Sequence, residues 1–204
     1  MSNIESGPRA DQDNVESLSK SELLERYDVE LCEPTDVLWE KIGKDILNVE
    51  VSSFGKEKSF DQATLKRDFE NQKNTIILIK SKEIGAIIGF TYAKPTIDTY
   101  PEDFPKREAA EDTAYIYDTA IEKSHRGKGL LPLLSEKLEN ELTSRGFAFI
   151  ERDSANTQAE EKLGDETYAD KIRKSYQGRI IKEEPHDSEY GPQVFFRISL
   201  SQPK

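Results

Sequence analysis

His125-Arg126-Gly127-Lys128-Gly129-Leu130 places two glycines and two fixed cations between a stretch that reads as a strand and one that reads as a helix. Glycine lets the backbone turn sharply and come close to a ligand. Amides at the start of a helix have no carbonyl one turn earlier, so they point outward with the positive end of the helix dipole behind them. A phosphate or pyrophosphate is the ligand that suits such a loop. Ahead of it, Tyr115 to Ile121 mixes aromatic and β-branched residues as a buried strand does. Behind it, Leu130, Leu134, Leu138 and Leu142 recur at helical spacing. A solvated basic turn would account for the charges, but not for glycines followed by an unbroken leucine stripe.

Two common phosphate loops are excluded by spacing. The pattern G-x-x-x-x-G-K-[ST] is absent, since Lys128 precedes Gly129 and no Ser or Thr follows, and the spaced triple-glycine dinucleotide fingerprint is absent too. What remains resembles the acetyl-CoA loop of the GNAT N-acetyltransferases, Q/R-x-x-G-x-G/A after a strand and before a helix. Arg126-Gly127-Lys128-Gly129-Leu130 fits this pattern, and Leu131 departs from it, standing where the family usually has Gly or Ala.

The resemblance implies acetyl-CoA as co-substrate and a primary amine, small molecule or peptide, as acceptor. It implies a strand that splays from its neighbour to admit the pantetheine arm, which here involves backbone groups of about Thr119 through Lys123, Ile121 and Glu122 among them. Arg126, Gly127, Lys128, Gly129, Leu130 and Leu131 would hold the pyrophosphate, and Asn156 stands where the family has an asparagine that contacts the pantetheine amide. Family members often place a glutamate general base on the strand ahead of the loop. Tyr115 or Tyr117 occupies those positions here, leaving Asp118 as the nearby acid, on a strand whose alternation would turn it to the other side. For protonation of the departing thiolate the family uses a tyrosine four residues before a helix-ending glycine. Lys174 has that spacing from Gly178, so Tyr176 and Tyr168 become the candidates. Transfer would be direct, and the alternative is a non-catalytic acyl-CoA-binding module of the same fold.

The elements that must position these residues can be read from periodicity. Residues 1–24 are polar and cannot bury enough surface to offset ordering entropy, which predicts a disordered tail before a single domain over 25–204. Tyr27 to Glu33 alternates as a strand, followed by a helix capped by Thr35 or Asp36 and a second helix carrying Leu65 and Phe69. Thr75 to Lys80 and Ala86 to Ala93 form a hairpin. A long loop over 94–113, either a binding loop or an acidic insertion, leads to the strand before the glycine loop. Gly146 ends the leucine helix, and Phe147 to Ile150 is the next strand. Asp165 or Thr167 starts a helix with Tyr168, Ile172 and Tyr176 on one side. Arg179 to Glu183 and Gln193 to Leu200 close the chain as a hairpin around a polar loop. The class is α/β (α+β), a mixed, twisted central sheet flanked by helices in the order β-α-α-β-β-β-α-β-α-β-β.

Composition narrows the partners. Asp and Glu number 40 against 29 Lys and Arg, a net charge of -11, which disfavours nucleic acid and favours cationic partners. The single cysteine, Cys32, cannot form an internal disulfide, and one cysteine with two histidines supplies no metal-ligand spacing. No apolar run suits a signal peptide or membrane span, so a cytoplasmic protein, monomer or homodimer, is expected.

Overall fold

The computed structural model describes residues 18–35, 38–104, 106–156, 166–188 and 191–201. Strands β1 (Tyr27–Cys32), β2 (Thr75–Ser81), β3 (Ile87–Pro95), β4 (Thr113–Ile121), β5 (Phe149–Ala155), β6 (Ile180–Ser188) and β7 (Gly191–Ser199) form one sheet in the order β1-β2-β3-β4-β5-β7-β6. Every neighbouring pair is antiparallel except β4 and β5. Helices α2 (Leu38–Phe54) and α3 (Gln62–Glu70) pack on one face, and α5 (Leu130–Ser144) and α6 (Tyr168–Ser175) on the other.

Sandwiching explains why β2 and β3 are apolar on both sides. Ile77 and Ile79 join the α5 core with Leu134 and Leu138, while Ile76 and Leu78 join Trp39, Ile46, Leu65 and Phe69 beneath α2 and α3. The leucine stripe is buried along its whole length, with Leu133 added to the four residues read from the sequence. Thr167 caps α6 through a reciprocal pair of bonds with Asp170, whereas Asp165, the other expected start, lies outside the described residues, as does Asp36. Thr35 accepts a bond from the Leu38 amide through its carbonyl.

Four features differ from the expected order. A helix α1 (Lys20–Arg26) starts within the stretch read as tail, held by a Ser19–Glu22 capping box and by burial of Leu23; residues 1–17 lie outside the described set. The 94–113 segment contains a further helix, α4 (Thr96–Asp103), despite Pro101. The last hairpin extends through most of its supposed loop, because an edge strand can be polar and still complete its ladder with β7. Finally, Ile172 and Tyr176 are buried but Tyr168, the first residue of α6, is 40% exposed.

Candidate active site

The sheet opens in its middle. β4 and β5 pair only through Thr113–Phe149, Ala114–Ile150 and Tyr115–Glu151, after which β4 runs on against β3 and β5 runs on against β7. From Ile116 and Arg152 onward their facing edges share no ladder, so a cleft lined by backbone amides and carbonyls separates them. At the same level β4 carries a bulge. Tyr92 pairs with Asp118 and Ala93 with Ile116, leaving Tyr117 as the extra residue. The bulge overrides strand alternation: Tyr117 stacks on Tyr92 and Phe60 on the α2–α3 side, and Asp118 faces that side too, its carboxyl beside Glu50 of α2.

At the end of β4 a 3-10 turn, Lys123–His125, leads into the glycine loop. Gly127 and Gly129 have φ of 77° and 89°, a region L side chains rarely adopt, and these conformations bring the chain round to present the first turn of α5. The Arg126 side chain donates to the carbonyl oxygens of Ile121 and Ser53, both at 3.0 Å, tying the loop to the end of α2. Ser53 Oγ also donates to Ile121, and Ser52 Oγ accepts from the Lys123 amide. The corner is therefore clamped by side chains, leaving the backbone amides of the first turn to meet an anion. Leu131 points outward (39% exposed) while Leu130 is buried, so the departure from the family pattern does not enter the core. Ile121, Glu122 and Lys128 are half-buried and Lys123 exposed. Asn156 sits just past β5 with an exposed side chain, its amide donating to Pro192. An unladdered cleft leading to a helix N-terminus with glycine turns fits a pantetheine arm joined to a pyrophosphate.

Titratable groups crowd both sides of the parting. Burial and the neighbouring Glu50 carboxyl push Asp118 well above the usual carboxylate range, and burial raises Glu50 as well. Asp118 Oδ2 and Glu50 Oε2 are both buried without a hydrogen-bond partner of ordinary length, and two carboxyls so placed favour keeping a proton on the pair. On the other face Tyr176 is 3% exposed, its hydroxyl buried without a hydrogen bond of ordinary length although Glu139 and Ser135 of α5 lie beside it. Burial, then the charge of Glu139, pushes this phenol up to about 12. The positive charge of Arg152 on β5 opposes both shifts. Tyr168 stands apart at the exposed start of α6.

Two further acids, outside any sequence motif, stand on β5. Glu151 accepts from the Tyr100 hydroxyl and from Arg197 (2.9 Å), and Asp153 accepts from Tyr115 (2.6 Å), Arg107 (2.9 Å) and His186 Nε2 (2.8 Å). Their spacing of two residues was the available signal, since it puts both on one face of a strand. Burial raises Tyr115 and keeps its hydroxyl a donor to Asp153. Among the described residues no group of His, Cys, Asp and Glu is arranged to hold a metal ion, and no helix is long and apolar enough to cross a membrane.

Comparison with known proteins agrees with this geometry. The family model of the acetyltransferase (GNAT) family matches residues 43–161, more than half of the chain. No curated protein matches the sequence. Among solved structures, the ribosomal-protein-S18-alanine N-acetyltransferase of Escherichia coli superposes with a TM-score of 0.59 at 14% identity, covering 87% of this chain and 96% of that one. Aminoglycoside 6'-acetyltransferase type Ii gives 0.60 at 13% identity, covering 87% and 99%. YncA of Salmonella typhimurium, solved with its cofactor acetyl-CoA, gives 0.56 at 13%, covering 87% and 95%. Such identities speak for the fold, and the match of the family model over the cleft and its loop completes the assignment: the chain belongs to the acetyltransferase (GNAT) family, whose co-substrate is acetyl-CoA.

Proposed function

We propose that this protein acetylates a primary amine by direct transfer from acetyl-CoA, with both substrates held where β4 and β5 part. The observation that carries this reading is the three-rung pairing of those strands next to a clamped glycine loop. The open edge of β4 up to Ile121, with Glu122 and Lys123, would hold the pantetheine, Arg126 to Leu131 the pyrophosphate through their amides, and Asn156 the far side of the arm. Holding two reactants in register supplies much of the acceleration in such a transfer. Acetyl-CoA brings the acetyl group as a thioester. The chain then needs only to take a proton from the amine and return one to the thiolate. We assign the first task to Asp118 beside Glu50, a pair whose raised proton affinity suits a base, and the second to Tyr176, whose buried phenol keeps its proton at neutral pH. The acceptor is a cation in solution, in keeping with the acidic balance of the chain.

A single substitution tests the site. Gly129 needs φ of 89°, and a Cβ there would also meet Leu23 Cδ1 at 3.4 Å. Gly129→Val should weaken acetyl-CoA binding by about ten-fold or more in calorimetry, because the loop can no longer present its amides. Unchanged affinity in a folded variant would remove the central claim. An amine screen for release of the coenzyme A thiol tests the transfer itself.

A further inference from the structure

The guanidinium of Arg107, on the segment between α4 and β4, sits in a cage that resembles a binding site more than a structural crossing. Its carbon lies 4.6 Å from the ring centre of Phe104, 4.7 Å from Phe195, 5.7 Å from Tyr115 and 5.8 Å from Tyr100. Asp153 closes the cage at 2.9 Å. Aromatic faces around a carboxylate form the environment that recognises ammonium and guanidinium groups. The cage lies at the parting of the strands, since Tyr115 is the last residue of β4 paired to β5 and Asp153 is two residues past the matching position.

The bonding is unbalanced in an informative way. Asp153 takes donors from Tyr115 and His186 as well as from Arg107, so it keeps two when Arg107 leaves. Arg107 is held by the rings and by Asp153, but its Nη1 is buried with no hydrogen-bond partner, a standing cost to the closed arrangement. A side chain with one unpaired donor, in a site whose carboxylate keeps two other donors, can be exchanged for a cation that fits the cage better.

We propose that Arg107 is an internal occupant of an acceptor subsite, and that the subsite takes a second cationic group of the amine acceptor, which displaces Arg107 on binding. The acceptor class follows: a molecule carrying an ammonium or guanidinium a short alkyl chain away from the amine that is acetylated. This rests on the proposed transfer to an amine, but the cage can be tested without turnover. A filled cage taxes affinity by the fraction of time it is free, so an occupant present nine-tenths of the time costs about ten-fold.

The test is an NMR titration of tetramethylammonium, followed on both ligand and protein signals, into the wild type, Arg107→Ala and Arg107→Ala/Asp153→Asn. The single variant should bind about ten-fold more tightly than the wild type, and the double variant should lose that gain. In the wild type, the Arg107 Nε–H resonance should move during the same titration as the side chain leaves; this readout stands even where Arg107→Ala folds poorly. Equal affinity in wild type and Arg107→Ala, or an Arg107 resonance that stays in place, would overturn the proposal. In kinetics, Arg107→Ala should lower KM for a diamine but not for a monoamine of equal length. Thiol release with any amine alongside unchanged cage binding rejects this inference alone. The expected NMR shifts without thiol release from any amine would instead reject the transfer reading.

Discussion

A buried hydroxyl without a partner is expensive to keep, and Tyr176 keeps one. Tyr176→Phe removes a group whose unsatisfied burial costs about 1–3 kcal/mol, so the melting temperature should hold or rise. If the phenol protonates the departing thiolate, turnover should fall by about 10²-fold while acetyl-CoA affinity is kept. Loss of stability with turnover intact would make the residue a packing tyrosine. Glu50 and Asp118 permit a second test, through pH. Both carboxyls are raised in the folded chain, so the unfolded chain releases their protons first, and stability should decline as pH rises from about 4, the unfolded value, through the raised folded values. Glu50→Gln should flatten that decline in denaturant titrations at stepped pH. The same substitution should reshape the acidic limb of kcat/KM if the pair takes the amine's proton, because the group that sets the limb changes. An unaltered limb would assign the pair to structure alone.

Helix α1 shows what an element of about two turns can do. Leu23 is 3% exposed, joins the α5 core beside Leu130 and Leu133, and lies against Gly129, while Lys20 pairs with Glu136 of α5. Leu23→Ala should therefore cost about 2–5 kcal/mol in chemical denaturation. It should also weaken acetyl-CoA binding, since the loop loses its backing; a stability loss with unchanged affinity would mean that α1 supports α5 and not the loop. This helix was hidden in the sequence because one buried leucine among polar residues makes no periodic stripe. By contrast, the glycine loop and α5 were legible, as their requirements are local: glycine where φ is positive and leucine at every turn of the buried side. What else went unread, helix α4 and the far ends of β5 and β6, shares one cause. Pro101 argues against α4, the charges of Glu151, Arg152 and Asp153 interrupt the apolar run of β5, and the 183–188 part of β6 is polar because it forms a sheet edge. Each is set by its neighbours in space. The face taken by Asp118 was out of reach for the same reason: the bulge at Tyr117 exists only in the pairing of β4 with β3.

At the scale of the whole molecule the excess of acid matters through its field. A net charge of -11 attracts a cationic acceptor and repels the anionic acetyl-CoA, and salt screens both effects, with a Debye length of about 8 Å at physiological ionic strength. Raising salt should then increase KM for the amine, while KM for acetyl-CoA stays level or falls. A rise of equal size for both would point to general destabilisation. The short pairing of β4 with β5 has a mechanical consequence. Three rungs join a leaf of strands β1 to β4, all drawn from the first part of the chain, to a leaf of β5 to β7 from the rest. Beyond them the seam is stitched by Tyr115 to Asp153, by Arg197 to Thr113, and by amides of Ala148 and Phe149 on the Asp112 carbonyl. Pulled apart from its outer edges β1 and β6, the sheet would tear along this line first. A molecule lodged in the cleft, bonded to backbone on either bank, would act as a rivet, so the protein should be toughest against force at the moment it holds its substrate.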